Sequence, residues 1–172
     1  TGLVLSSDSG SVSSAGDVNG DGIDDIIIGD SYVIYDDDRT IGQSYIIFGK
    51  NTGFSSPFFL GNLNGQNGFT INGINGSCGQ SVNAAGDVNA DGISDVIIGA
   101  DMINHLTGQS YVIFGNKNGF PSQFNLTNLN GENGFAINGI NSGDWFGSSV
   151  NTAGDVNGDK ISDIIIGAFA AN

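Results

Sequence analysis

Three stretches of the 172-residue chain set oxygen-bearing side chains at alternate positions of a short run. The first, DVNGDGIDD, places Asp17, Asn19 and Asp21 at its positions one, three and five, and Asp25 at position nine. The second carries Asp87, Asn89, Asp91 and Asp95 at the same spacing, the third Asp155, Asn157, Asp159 and Asp163. A tight loop turns alternate side chains inward, so each set can converge. Carboxylates gathered around one point repel one another or take up protons unless a cation lies among them. Calcium is a hard cation that takes about six to eight oxygens. Position seven, Ile23, Ile93 or Ile161, has only its backbone carbonyl to add. The spacing therefore predicts three Ca2+ sites, each built from four side chains and one carbonyl.

An EF-hand does not fit. That motif needs an acidic ligand at about position 12 and a helix on each side, whereas position twelve here is Ile28, Ile98 or Ile166, within an apolar run. Asp, Asn and Gly are also ordinary turn formers. A turn alone has no need of acid at positions one, five and nine in three copies, where nine of the 18 acidic residues stand.

The loops belong to a longer repeat. SVSSAGDVNGDGIDDIIIGD from Ser11 recurs as SVNAAGDVNADGISDVIIGA from Ser81 and SVNTAGDVNGDKISDIIIGA from Ser149. GQSYIIFG from Gly42 recurs from Gly108 as GQSYVIFG, and NLNGQNGFTINGI from Asn62 recurs from Asn128 as NLNGENGFAINGI. One unit is about seventy residues, carried in the same order each time. The second unit offers four short β-branched segments bounded by Gly or Asn: SVNAAG, DVIIGA, SYVIFG and FAINGI. No window shows the apolar spacing of an amphipathic helix.

An all-β fold follows, with four antiparallel strands per unit arranged as the blades of a β-propeller. The continuous runs IIIG and VIIG predict inner strands buried on both faces. Residues 1–10 read as the end of a preceding unit with Leu3–Leu5 as its outer strand, 11–80 as the first unit, 81–147 as the second, and 148–172 as part of a third. Propellers close with about four to eight blades. About two and a half units are thus a partial propeller, either part of a larger chain or a protomer whose copies complete each other's blades as a ring or fibre.

The unit resembles the FG-GAP repeat of the integrin α-subunit propeller, over nearly the whole chain. Trp145-Phe146-Gly147 and Ile166-Gly167-Ala168 carry the signature around the loop from Asp155 to Asp163. The first unit lacks Phe-Gly before its loop, the second has Cys78-Gly79 there, and Phe169 stands in place of the proline. The resemblance implies a metal loop in the hairpin between the first two strands of each blade, on the face away from the ligand-binding loops. It also implies calcium rigidifying an extracellular or cell-surface adhesion scaffold. Lys160 replaces Gly22 and Gly92 of the other loops; if that position is left-handed, Lys costs about 1 kcal/mol and adds a positive charge. The third site is expected to be the weakest.

Composition narrows the partners. A net charge of -14 with four Lys and Arg together argues against nucleic acid and anionic membranes and favours cations. No stretch has the roughly 18 apolar residues of a membrane helix, and TGLVLSSDSG has no basic region followed by an apolar one. Glycine at 29 residues with only two prolines is the composition of many tight turns. Cys78, which cannot form an internal disulfide, reads as a small packing residue, and His105 as a surface residue.

With one His and one Cys in the chain, a hydrolase triad has little to draw on, and the chain is expected not to be an enzyme. A two-carboxylate glycosidase is the enzyme reading with some basis, and a non-catalytic accessory domain of a secreted enzyme stays open. Asp36-Asp37-Asp38 fit a solvated hairpin tip or an additional cation contact. Trp145 and Phe146 fit packing between blades, or sugar or protein binding. Asn75-Gly-Ser77 and Asn125-Leu-Thr127 match the glycosylation sequon. A protein or glycan ligand, which the sequence does not name, is expected at the loops 35–41 and 101–107, which the units do not share.

Overall fold

The computed structural model describes residues 10–32, 41–55, 57–74 and 76–172. Leu3–Leu5, Asp36-Asp37-Asp38, Asn75 and all of the 35–41 loop except Ile41 lie outside them. The strands are β1 (Gly10–Gly16), β2 (Asp25–Asp30), β3 (Gln43–Ile47), β4 (Gly68–Asn72), β5 (Ser81–Gly86), β6 (Asp95–Ala100), β7 (Gln109–Ile113), β8 (Gln123–Asn125), β9 (Gly134–Asn138), β10 (Phe146–Gly154) and β11 (Asp163–Ala168). They form three sheets, ordered β1-β2-β3-β4-β8, β5-β6-β7-β9 and β10-β11. Two antiparallel meanders of four and the first hairpin of a third are the blades of a partial β-propeller.

Each acidic loop is the turn of its blade's first hairpin. The hairpin closes with a bulge at Gly16, Gly86 or Gly154. These glycines have φ of 70°, 77° and 70°, a left-handed conformation in which glycine avoids the Cβ penalty. The bulge twists the strand end and sends the chain into the loop. On the return strand, residues alternate between the two faces of the blade. In β6, Val96 and Ile98 join the core shared with the first sheet, while Ile97 joins the core shared with the third. Every residue of β6 is buried, as the unbroken apolar run predicts.

The blades approach so closely that backbone meets backbone. A Cβ on Gly29 would lie 2.1 Å from the carbonyl oxygen of Gly79, and one on Gly99 2.0 Å from that of Gly147. Gly79 and Gly147 are the second residues of the Cys-Gly and Phe-Gly pairs that precede β5 and open β10. They have φ of 91° and 88° and sit against the hydroxyls of Ser44 and Ser110. The signature pair is therefore an interblade contact, with glycine required on both sides. Cys78 is fully buried in this seam.

The sequence reading stops at four strands per unit. β8 is a fifth strand on the first sheet, contributed by the second unit and running parallel to β4. The third blade differs in the opposite sense. Ile165, two residues past its ninth-position Asp, is 60% exposed, whereas the corresponding Ile27 and Ile97 are at 0%. Nothing among the described residues covers that side of β11.

Gly99→Ala should lower stability by at least about 2 kcal/mol in urea denaturation, the usual cost of forcing atoms into a packed seam. Gly143→Ala, at φ of 89° but with nothing within 4 Å, should cost only about 1 kcal/mol for its backbone. Equal losses would contradict the seam.

Candidate metal centre

The first loop is organised by its own side chains. Asp17 accepts hydrogen bonds from Asp21 N–H at Oδ1 (3.0 Å) and Gly22 N–H at Oδ2 (2.7 Å). Asn19 Oδ1 accepts from Asp21 N–H (3.0 Å), and Asp21 Oδ1 accepts from Ile23 N–H (2.9 Å). The second loop repeats each bond with Asp87, Asn89 and Asp91. The third does so with Asp155, Asn157 and Asp159, Lys160 N–H replacing a glycine amide at 2.9 Å from Asp155 Oδ2.

The fourth and sixth positions of all three loops are left-handed. Gly20, Ala90 and Gly158 have φ of 71°, 61° and 82°, and Gly22, Gly92 and Lys160 have φ of 86°, 84° and 74°. The condition on Lys160 is met, and Ala90 carries a strain the sequence reading missed.

The ninth-position aspartates do something different. Asp25 Oδ2 accepts from Val18 N–H inside the loop (2.9 Å), while its Oδ1 accepts from Gly49 N–H beyond the end of β3 (2.8 Å). Asp95 makes the same pair of bonds to Val88 and Gly115, both at 2.8 Å. These carboxylates are buried, at 1% and 0% exposure. Burial pushes both pKa values up to about 6; two amide bonds pull each down, and the two nearby loop carboxylates add to the rise. In the third blade Asp163 accepts from Val156 N–H at 2.8 Å and is only half-buried.

Among the described residues, no three acidic, His or Cys side chains stand together as a ready metal cluster. The loops gather their oxygens around backbone amides, with Asp17, Asn19 and Asp21 sharing one turn and Asp25 behind it. The donor set still fits a hard divalent cation. Every donor is oxygen, and a carboxylate oxygen that accepts one N–H keeps a second lone pair. Asp25 and Asp95 are buried carboxylates beside further negative charge, an arrangement that a cation relieves.

Other residues of this site were not singled out in the sequence. Ser94 N–H donates to the carbonyl of Asp17 (3.1 Å), and Ser162 N–H to that of Asp87 (3.0 Å). Ser162 Oγ also accepts from Asp87 N–H at 3.2 Å. The first and second loops are thereby each hydrogen-bonded to the loop of the next blade. The eighth-position serine, Ser94 and Ser162, was the available signal, and Asp24 breaks it in the first unit. Gly49 and Gly115, the amide donors to the buried carboxylates, were legible only as the last residues of GQSYIIFG and GQSYVIFG. At the opposite end of the second blade, His105 is exposed as expected. Asn104, His105 and Leu106 form a left-handed turn, with φ of 53°, 59° and 64°. Phe146 bridges to Gly108 across the blade seam.

Successive antiparallel blades, each with an acidic loop in its first hairpin and each loop tied to the next, define a segment of a loop-bearing β-propeller. Residues 9–47 match the FG-GAP repeat family. The chain is 31% identical to integrin alpha-2 of Bos taurus over 160 residues, which is 93% of this chain and 13% of that protein. It is 34% identical to integrin alpha-2 of Mus musculus over 95 residues, 55% of this chain and 8% of that protein. With integrin alpha-4 of Xenopus laevis it shares 26% identity over 174 residues, 99% of this chain and 15% of that protein. The chain is an integrin-α-like FG-GAP segment, and it spans only a small part of the length of these relatives.

Asp95→Ala would strand two amides and should cost about 3 kcal/mol, against less than about 1 kcal/mol for Asp163→Ala, by urea denaturation. In a calcium chelator, the raised pKa values set the sign of a pH effect. Folded Asp25 and Asp95 hold their protons more tightly than the unfolded chain does, so their contribution is full below about pH 4 and is lost as pH rises through about 6. The melting temperature should fall across that window, less steeply in Asp95→Asn.

Proposed function

We propose that the chain is a calcium-stabilised segment of an extracellular adhesion or interaction propeller, in which the metal is structural. The observation that carries this reading is the buried carboxylate at position nine, held between loop and blade in Asp25 and Asp95. Calcium at the loop would take oxygens from Asp17, Asn19, Asp21 and Asp25, with the Ile23 carbonyl, and from the matching residues of the other two loops. Its charge would offset the repulsion among those carboxylates. The chain's own residues do the rest: the loop amides orient the side chains, and the ninth-position Asp ties the loop to the following strands.

The likeness to integrin α chains supports placement at the cell surface or outside the cell. No helix among the described residues is long and apolar enough to cross a membrane. The ligand, protein or glycan, would meet the loops that the units do not share, such as 101–107. At millimolar calcium, with dissociation constants of about 0.1 to 1 mM, each site would contribute up to roughly 1.5 kcal/mol.

A second reading is that copies of the chain complete each other's blades as a ring or fibre. Concentration-dependent mass in solution separates it from the first, which expects a monomer.

Calorimetric titration should show calcium uptake at the first two loops and a weaker third, and Lys160→Gly should tighten the third and raise stability by about 1 kcal/mol. Absence of calcium uptake, with a melting temperature indifferent to EDTA, would overturn the reading.

A further inference from the structure

Asn-Gly occurs ten times in the chain, and the pair has a chemistry of its own. The backbone nitrogen after an asparagine can attack the side-chain carbonyl carbon, and a glycine, with no Cβ, leaves that approach open. Most of the described pairs are closed to it. The amides of Gly65 and Gly131 are bonded to the carbonyls of Gly68 and Gly134 (2.8 and 2.9 Å), those of Gly73 and Gly139 to Gly42 and Gly108 (3.1 and 3.0 Å), and that of Gly119 to Asn116 (3.1 Å). Gly68 and Gly134 are themselves buried. Gly158, in the third loop, donates to Asp155 Oδ1 at 2.7 Å.

Asn19-Gly20 in the first loop is the described pair left open. Gly20 is exposed, and its N–H meets no acceptor among the described residues. Asn19 Oδ1 accepts from the Asp21 N–H and its Nδ2 donates to Asp21 Oδ2, both at 3.0 Å, so the carboxamide is folded back across the Gly20 peptide. The second loop holds Asn89 by the same two bonds to Asp91, at 3.1 and 3.0 Å. There the next residue is Ala90, whose Cβ stands in the way. Ala90 is exposed with a blade on either side of its own, so this loop position stays open within a stack and not only at its end. Asp21-Gly22, the other acid-glycine pair of the first loop, is closed by the Gly22 bond to Asp17.

We infer that Asn19 is a site of spontaneous deamidation, and that Ala90 spares the second loop the same change. The Gly20 nitrogen gives up its hydrogen to hydroxide and bonds to Asn19 Cγ; the Cγ–Nδ2 bond breaks, and the side-chain nitrogen leaves as ammonia after taking a proton from water. The cyclic imide then takes up water at either carbonyl, giving aspartate or, with the main chain rerouted through Cγ, isoaspartate. Water is the sole co-reactant. Aspartate would put a further carboxylate beside Asp17 and Asp21 and remove the amide donated to Asp21 Oδ2. Isoaspartate would add a methylene to the main chain and break the alternate spacing of the loop.

Deamidation needs no bound ion, so the test is run in EDTA, apart from the calcium reading. The whole folded chain is held at mildly alkaline pH and body temperature, sampled over weeks, digested with trypsin and mapped by mass spectrometry. The peptide ending at Arg39 has Asn19 as its only asparagine, and fragment spectra place every other change. Asn19 should convert about tenfold faster than Asn64 or Asn130, and the lead should vanish in urea, where every Asn-Gly pair is free. Gly20→Ala should slow the conversion about tenfold, with folding checked by circular dichroism. Its Cβ would lie 3.2 Å from that of Lys117; should that variant fail to fold, Ala90→Gly decides, since it should open Asn89 to the same reaction. Asn19 reacting no faster than Asn64 and Asn130 in the folded chain overturns the inference, as does a lead that persists in urea, or Asn89 staying inert in Ala90→Gly.

Discussion

A carboxylate with almost no exposure, no basic partner among the described residues and two backbone amides for company is the constraint on which the blades turn. Asp25 and Asp95 are the first residues of β2 and β6, and each bonds at once to the loop before it and to the chain beyond the third strand of the same blade. One side chain thereby fixes the loop's closing angle, the start of the inner strand and the exit of its neighbour. A buried carboxylate in this position is costly when charged, which is why its pKa rises to about 6 and why a cation at the loop is the natural complement. In the third blade Asp163 is half-buried and bonds to the loop amide of Val156, and that loop is the most exposed of the three.

From that anchor the structure builds sideways. The loop carbonyls of Asp17 and Asp87 accept amides from the next blade's loop, and farther along the strands the glycine pairs Gly29–Gly79 and Gly99–Gly147 bring the blades into backbone contact. Rigid loops at one end and a close seam along the strands leave the opposite end, with the left-handed turn at 104–106, as the place where sequence varies without disturbing the stack. The adhesion scaffold proposed for the chain would use that division of labour, with shared residues holding the blades and unshared loops free to meet a partner.

Much of this was legible in the sequence because the physics repeats at two simple spacings. Alternate oxygens over nine residues define the loops, and short β-branched runs bounded by glycine define β2, β3, β6 and β7. What escaped was set by contacts distant in sequence. β8 is three residues, Gln-Phe-Asn, in a stretch of Gly, Pro and Ser, and it becomes a strand only by pairing with β4 some fifty residues earlier. Ser94 and Ser162 look like ordinary polar loop residues until the neighbouring loop supplies their acceptor. Ala90 hides a left-handed backbone because nothing in its side chain announces one. The loop oxygens, expected to converge on a point, also accept hydrogen bonds from loop amides, a geometry that spacing alone does not specify.

Hydrogen exchange at the amides of Gly49 and Gly115, followed with and without calcium, tests the central claim most directly. These amides are bonded to Asp25 and Asp95, outside the loops themselves. If the ninth-position carboxylates couple metal to blade, both amides should exchange slowly and gain at least tenfold protection when calcium is added. Exchange as fast as in an open loop, or protection unchanged by calcium while the loop amides respond, would contradict the account.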